Sequence, residues 1–145
     1  MQEVLILVGP PGSGRDEWIA ENYPAAPCVS LDKYWKQPGE YFPMDELQAA
    51  YRKCVDEFHD LLKSAPERVI VNNSNMRLSH RKKYIKLAHD FGYQVFVIVF
   101  PFDESQVRAQ LLGERPTMHA DALDRAVTCD LVPGIYSILP AQLAK

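Results

Sequence analysis

The segment VLILVGPPGSGRDEW, residues 4–18, is the part of the sequence that decides the fold. It begins with five apolar residues, a run of strand length, continues through closely spaced glycines and enters a helix-like stretch at residues 18–20. Glycines at such a junction allow backbone N–H groups to converge on an anion at the N-terminus of the helix. We therefore predict a phosphate-binding loop over residues 9–16.

The loop follows the phosphate-binding pattern GxxxxGK plus Ser or Thr in its glycines, but it departs from that pattern at the last two positions. Arg15 replaces the lysine that neutralises phosphate charge, and Asp16 replaces the hydroxyl residue that ligates magnesium. Arginine keeps the positive charge, but its planar fork is not a compact point charge. The residues predicted to contact a nucleotide are Gly9, Pro10, Pro11, Gly12, Ser13, Gly14, Arg15 and Asp16.

Asp16 is the larger departure, because it brings a carboxylate close to the predicted phosphate. Two unit charges of like sign 4 Å apart repel by about 1 kcal/mol in water and about 4 kcal/mol at intermediate dielectric. Two interpretations of Asp16 stay open. It is a ligand of Mg²⁺, if that ion binds, or it is a built-in anion that satisfies the first turn of the helix.

The rest of the chain alternates short buried strands with helices. We predict strands at about residues 27–31, 69–71 and 94–100, and helices at about residues 45–63 and 79–91. Strands connected through helices form right-handed crossovers and a parallel sheet. The sequence thus predicts an α/β, three-layer fold, in which a parallel sheet of about five strands has helices on both faces.

Length and composition limit the class of protein. A chain of 145 residues, 47% apolar and 24% charged, is long enough for one core, and we predict a single domain over residues 1–145. The net charge of -3 argues against binding nucleic acid by bulk positive charge. The three cysteines have no CxxC spacing and no apolar run reaches membrane-spanning length. A cytoplasmic, reducing location and no membrane partner are expected.

Four segments in this order resemble the phage-type polynucleotide kinases and related P-loop kinase domains of the AAA-like and zeta-toxin-like kind. The segments are GPPGSGRDEW from residue 9, VSLDKYW from residue 29, VIVNNSN from residue 69 and HDFGYQVFVIVF from residue 89. The resemblance implies the P-loop NTPase fold of the kinase type, ATP or GTP as a partner and Mg²⁺ as a cofactor. It also implies that Asp32 is the general base that takes a proton from an attacking 5′-hydroxyl.

Several positions depart from the resembled pattern. The arginine that contacts the acceptor corresponds to Trp35, which either stacks on a base or packs as an ordinary aromatic. The acidic residue at the strand end corresponds to Asn73, and Asn75 belongs to the same motif. The lid arginines are displaced, leaving Arg108 and Arg115 nearby. The resemblance implies catalytic roles for Asp32, Arg15 and Arg115, and substrate contacts for Trp35, Asn73 and Asn75.

Two further regions suggest partners. The predicted helix at residues 79–91 and the turn before it carry a basic cluster, which is either a nucleic-acid surface or a solvated helix face. The cluster consists of Arg77, Arg81, Lys82, Lys83 and Lys86. The tail at residues 128–145 is either a last strand or an exposed segment for a protein partner.

Three functions are consistent with these features. The first is a kinase-like domain with a degraded phosphate loop, retained as a nucleotide-binding or assembly module. The second is an active ATP-dependent kinase that phosphorylates a 5′-hydroxyl of nucleic acid or a small molecule, with Asp32 as the general base. The third is a nucleic-acid-binding module that uses the basic helix at residues 77–89.

Overall fold

The computed structural model of the chain describes residues 2–34, 44–114 and 119–140. The strands are β1 (Glu3–Val8), β2 (Cys28–Val29), β3 (Arg68–Asn72), β4 (Gln94–Val99) and β5 (Gly134–Ile138). The α-helices are α1 (Arg15–Asn22), α2 (Met44–Lys63), α3 (Leu78–Asp90), α4 (Glu104–Glu114) and α5 (Ala120–Val127), and a 3₁₀ helix, Leu31–Tyr34, follows β2. The predicted order of strands and helices is therefore confirmed.

The five strands form one sheet in the order β2-β3-β1-β4-β5. The pairs β2–β3, β3–β1 and β1–β4 are parallel, whereas β5 runs antiparallel to β4. The α/β class and the five strands are as predicted, but the sheet is mixed at one edge. An antiparallel edge strand on a parallel sheet is a common arrangement. The predicted last strand of the tail is β5.

The central strand β1 is buried on both faces, which explains its unbroken apolar sequence. Val4, Ile6 and Val8 point to the side of the sheet that is covered by α2 and α3. Leu5 and Leu7 point to the opposite side, against α1. Helices therefore lie on both faces of the sheet, as the three-layer prediction requires.

Helix α2 presents to this core the apolar stripe that its sequence predicted. Cys54, Phe58 and Leu62 are buried, at spacings of four residues, and pack below the side chains of Val4 and Ile6. Helix α3 contributes Tyr84, Ile85 and Ala88 to the same core. Phe58 and Tyr84 meet edge to face with ring centroids 5.1 Å apart.

Parallel pairing brings the carboxyl ends of β1, β2 and β3 to the same edge of the sheet. The loop after β1, the 3₁₀ helix after β2 and the turn after β3 are consequently neighbours. Helix α4 approaches this edge from the β4 side, since a Cβ atom built on Gly12 would lie 3.2 Å from Gln110 Oε1. Within the described ranges, none of the helices is long and apolar enough to cross a membrane.

Candidate functional site

The loop after β1 has the conformation that its glycines predict. Gly12 and Gly14 have φ values of 84° and 98°, in the left-handed region that L side chains rarely adopt. A Cβ atom on Gly9 would collide with Ser13 Oγ. The loop closes on itself through a hydrogen bond from Ser13 N to Pro10 O, 3.1 Å. The backbone therefore requires glycine at Gly12 and Gly14, and the close approach of the Ser13 side chain favours it at Gly9.

The loop also leaves backbone donors open toward solvent. Helix α1 begins at Arg15, directly after the left-handed Gly14. Among the described residues, no backbone carbonyl accepts a hydrogen bond from the N–H groups of Gly12, Gly14 or Arg15. Unpaired N–H groups at a helix N-terminus carry a partial positive charge and bind anions. The backbone of the loop can therefore accept a phosphate.

The side chains at the end of the loop form a hydrogen-bonded chain with β3. Arg15 Nη1 donates to Asn72 Oδ1 at 2.8 Å, and Asn72 Nδ2 donates to Asp16 Oδ1 at 2.7 Å. Arginine can only donate and a carboxylate can only accept, so these partners fix the orientation of the Asn72 amide. Asn72 is the last residue of β3 and pairs with Leu7 of β1.

The charges around the loop are mixed. Burial lowers the pKa of Arg15, while the neighbouring charges of Asp16 and Asp32 raise it. Arg15 is half-buried, and Asp16 and Asp32 are exposed. Together, Arg15, Asp16 and Asp32 bring two carboxylates and one guanidinium to this edge. The Asp16 carboxylate accepts a hydrogen bond from Asn72. Gly14 is the N-cap of α1, and no side-chain hydrogen bond caps the helix there.

Asp32, the predicted general base, lies in the 3₁₀ helix and not directly after a strand. The predicted strand at residues 27–31 is shorter, Cys28–Val29, because the N–H of Leu31 bonds to Asn73 Oδ1 at 2.7 Å instead of to a ladder partner. The N–H of Asp32 faces Ser30 Oγ at 3.3 Å. Its carboxylate is exposed at the same edge as the loop.

Asn73 and Asn75, which were predicted to contact substrate, are buried. Asn75 is 4% exposed, and its Nδ2 donates to Leu7 O at 2.9 Å and to Asn73 O at 3.3 Å. Asn73 is 7% exposed and holds the 3₁₀ helix through Leu31 N. Its Nδ2 and the hydroxyl of Tyr84 have no hydrogen-bond partner among the described residues. Both asparagines shape the edge of the sheet from below, and their contact with substrate stays a prediction.

The predicted basic cluster contains both buried and exposed side chains. Arg81 is 3% exposed, donates to Asn75 O at 2.8 Å and forms an ion pair with Asp130 at 2.8 Å. It is therefore a buried structural residue, and its inclusion in a nucleic-acid surface was wrong. Lys82, Lys83 and Lys86 are exposed on α3, and Lys86 lies 3.6 Å from Asp90. A nucleic-acid partner for these lysines stays a prediction.

Of the two predicted lid arginines, the structure describes Arg108. Arg108 forms ion pairs with Glu104 at 2.9 Å and with Asp124 at 2.8 Å. Trp35 and Arg115 lie outside the described residues. No group of three or more histidine, cysteine and acidic side chains in the described ranges has the arrangement of a metal site. Asp16 stays the predicted ligand of a nucleotide-bound cation.

Asn72 is the site residue that the sequence interpretation missed. The strand-end motif was matched to residues 73–75, yet the side chain that reaches the loop belongs to the residue before. The alternation of side chains along β3 could have identified Asn72. Residues of alternate parity point to opposite faces of a strand, and Ile70 and Asn72 share the face toward α1.

Comparison with known proteins agrees with this geometry. Residues 4–127 match a family model described as an AAA domain, which extends from β1 through α5. The chain belongs to this AAA domain family. Its sheet order and its loop between β1 and α1 give it a P-loop kinase-like fold.

Solved structures similar to this AAA domain include kinases. A chain of the Pnkp1/Rnl/Hen1 RNA repair complex superposes with a TM-score of 0.63 at 16% identity, over 87% of this chain and 43% of that one. The gluconokinase from Sinorhizobium meliloti 1021 gives 0.52 at 18% identity, over 86% and 72%. The APS kinase CysC of Mycobacterium tuberculosis, in complex with AMPPNP and APS, gives 0.52 at 15% identity, over 76% and 68%. The AAA domain spans less than half of the RNA repair chain, and these likenesses show the fold.

Proposed function

We propose that this P-loop kinase-like domain binds a nucleoside phosphate at residues 9–16 and transfers its phosphoryl group poorly. The observation that carries the proposal is the Arg15–Asn72–Asp16 chain at the end of an intact loop backbone. The backbone supplies binding, because its donors are open. The side chains remove charge stabilisation, because the guanidinium is shared with an amide and stands between two carboxylates.

Retained binding is supported by the loop itself. A bound phosphate contacts mainly backbone N–H groups in a loop of this type, and those of Gly12, Gly14 and Arg15 have no backbone acceptor among the described residues. Helix α1 adds the field of its N-terminus. Neither contribution depends on the identity of the side chains at positions 15 and 16, so both survive the two replacements.

Poor transfer is supported by the charges. Phosphoryl transfer depends almost entirely on positioning and on stabilising the negative charge of the transition state. Asp16 adds a negative charge where a hydroxyl is usual, and repulsion of about 4 kcal/mol at intermediate dielectric, acting on bound nucleotide and transition state together, corresponds to about three powers of ten in kcat/KM. Mg²⁺ bound with the nucleotide would meet the Asp16 carboxylate, an oxygen ligand that it prefers, and would neutralise part of this charge.

Repair of the site tests the proposal. The variant Arg15→Lys/Asp16→Ser/Asn72→Asp restores the lysine and hydroxyl and places a carboxylate where Asn72 reaches the loop. Its matched control carries Asn73→Asp instead of Asn72→Asp, which puts the carboxylate below the site. ATP hydrolysis and transfer to a 5′-hydroxyl oligonucleotide should be detectable in the repaired variant, and weaker or absent in the wild type and in the control. A wild type as fast as the repaired variant would contradict the proposal.

The second candidate is an active kinase with Asp32 as the general base, and the placement of Asp32 favours it. The carboxylate is exposed at the same edge as the loop, and its charge acts on Arg15. An open groove of about 400 Å³ lies beside the 3₁₀ helix. It is lined by Tyr34, Lys53, Asp56, Glu57, Asp60 and Leu61, so its carboxylates favour a small molecule over a nucleic-acid acceptor. Wild-type transfer that is lost in Asp32→Ala would establish this candidate.

A further inference from the structure

We propose that Asn72 is a clasp that holds Arg15 and Asp16 against the end of β3 and thereby limits how tightly the loop binds phosphate. The proposal rests on the proposed function, because phosphate is the ligand that the clasp would oppose. It assigns Asn72 a role in the affinity for phosphate. No step of phosphoryl transfer is attributed to it.

The clasp consists of two hydrogen bonds, one at each polar atom of the Asn72 side-chain amide. Asn72 Oδ1 accepts a hydrogen bond from Arg15 Nη1 at 2.8 Å, and Asn72 Nδ2 donates one to Asp16 Oδ1 at 2.7 Å. Each bond has a charged partner, and such bonds are shorter and stronger than those between neutral groups. The amide cannot rotate by half a turn without losing both, because it would then present a donor to a donor and an acceptor to an acceptor.

The clasp is anchored on a rigid element. Asn72 ends β3, which pairs with β1 and β2 in the interior of the sheet, and its register partner is Leu7. Arg15 and Asp16 stand in the first turn of α1, which is eight residues long. The sheet therefore fixes the position of the amide, and the two charged side chains are positioned by it.

Phosphate binding and the clasp compete for the same guanidinium. The bond to Asn72 uses one of the five N–H groups of Arg15 and fixes where the guanidinium lies, so a phosphate at the N–H groups of Gly12 and Gly14 would gain Arg15 in its best geometry only after that bond breaks or shifts. The same amide keeps the Asp16 carboxylate beside the loop, where it repels the ligand. Without the clasp, Arg15 can turn to the phosphate, and the exposed Asp16 can turn to solvent.

Binding of ADP in the presence of EDTA tests this competition without a metal ion. The variant Asn72→Leu removes both hydrogen bonds and nearly preserves the side-chain shape, and Asn22→Leu makes the same replacement at the exposed far end of α1. Titration calorimetry should show about tenfold tighter binding in Asn72→Leu, because the energy of a hydrogen bond to a charged group no longer opposes binding. Asn22→Leu should bind like the wild type.

Asn72→Asp gives the opposite sign and protects the test against a variant that fails to fold. Its carboxylate keeps Arg15 and adds a negative charge, so ADP binding without metal should weaken about tenfold. Tighter binding with leucine and weaker binding with aspartate support the clasp. Unchanged or weaker binding in a folded Asn72→Leu, or the absence of any ADP binding by it, overturns the clasp. If the wild type still binds ADP with Mg²⁺, the proposed function survives that failure.

A measurement without ligand separates the clasp from nucleotide binding altogether. In Asp16→Ala the Asn72 Nδ2 group loses its acceptor, so its side-chain amide NMR signals should shift. Glu17→Ala removes a neighbouring exposed carboxylate of the same charge and should leave them in place. Equal shifts in the two variants, or none in either, would overturn the clasp even if ADP binds.

Discussion

The phosphate loop and the turn after β3 lie side by side at one edge of the sheet, but they use their polar groups in opposite ways. The loop, residues 9–16, leaves backbone donors open and exposes Asp16. In the turn, residues 73–77, the side-chain amides form hydrogen bonds inside the protein: Asn73 accepts from Leu31 N, and Asn75 donates to Leu7 O. Replacements in the loop can therefore change ligand chemistry without disturbing the fold, whereas replacements in the turn should disturb the fold first.

Two arginines, Arg15 at the loop and Arg81 below the turn, illustrate the same contrast. Arg15 is half-buried, and its hydrogen-bond partner among the described residues is the neutral amide of Asn72. Arg81 is 3% exposed, donates to the carbonyl of Asn75 and forms an ion pair with Asp130. Arg15 therefore lies where a ligand at the loop could contact its guanidinium. Arg81 supports the turn and joins it to the segment after α5.

The largest effect on stability should come from the acid that pairs with Arg81. Asp130→Ala would leave a buried guanidinium without its counter-charge and remove the acceptor of Leu78 N at 2.7 Å, so we expect unfolding free energy to fall by about 3 kcal/mol. Asp16→Ala is the matched change in the loop and should cost less than about 1 kcal/mol. Urea unfolding of both variants measures the difference. Equal losses would erase the distinction between the two regions.

The asparagines give the next largest effect. Asn75→Leu removes the donor to Leu7 O from a buried site and places a leucine at φ 49°, so we expect a loss of about 2 to 3 kcal/mol. Asn72→Leu, at the clasp, should cost about 1 kcal/mol. Chemical unfolding is again the measurement. Asn75→Gly relieves the backbone strain alone, and full recovery of stability in it would show that the hydrogen bond contributes nothing.

Alkaline pH probes the core beneath the turn. Burial raises the pKa of the Cys54 thiol to about 11, above its ordinary value near 8.5 to 9. The folded state therefore holds this proton more tightly, and the resulting stability is present below about pH 8.5 and lost as pH rises through about 11, a total of about 2 to 3 kcal/mol. Cys54→Val should flatten stability between pH 9 and 11 relative to the wild type. The half-buried Cys129, replaced by valine, is the control, and an unchanged slope in Cys54→Val would contradict the assignment.

The smallest effect is expected at Tyr84. Its hydroxyl is buried under the turn and lies near the Asn73 side chain, but it meets no described residue in hydrogen-bond geometry, so its net contribution to stability is small. Tyr84→Phe should change the unfolding free energy by less than about 0.5 kcal/mol, in either direction. Thermal and urea unfolding would measure it. A loss above about 1 kcal/mol would show that a buried water or the Asn73 amide satisfies the hydroxyl.

The sequence predicted the features that depend on periodicity and on glycine. The loop glycines, the apolar stripe of α2 and the alternation of strands and helices appear in the structure as predicted, because each reflects a local constraint. The direction of β5 and the short β2 were not predicted. They depend on pairing between distant segments, such as the bond from Leu31 N to Asn73 Oδ1.

The errors at the site have the same origin. Arg81 was counted with exposed lysines because it lies next to Lys82, yet it precedes Tyr84, Ile85 and Ala88 at spacings of three, four and seven and shares their buried face. Its counter-charge, Asp130, lies 49 residues away in the sequence. Asn72 was passed over because a motif match chose its neighbour, and a shift of one residue in a strand exchanges the two faces.

The most direct test of the account measures MgATP binding and turnover in one preparation of the wild-type protein. We predict saturable binding by calorimetry, lost in Gly14→Val, which would strain the loop at φ 98°, and no ATP turnover above the rate in buffer. Turnover at about 1 to 100 s⁻¹, the range of ordinary kinases, would contradict the claim that the side chains at Arg15 and Asp16 disable transfer. Absence of binding would contradict the claim that the loop backbone still holds a nucleotide.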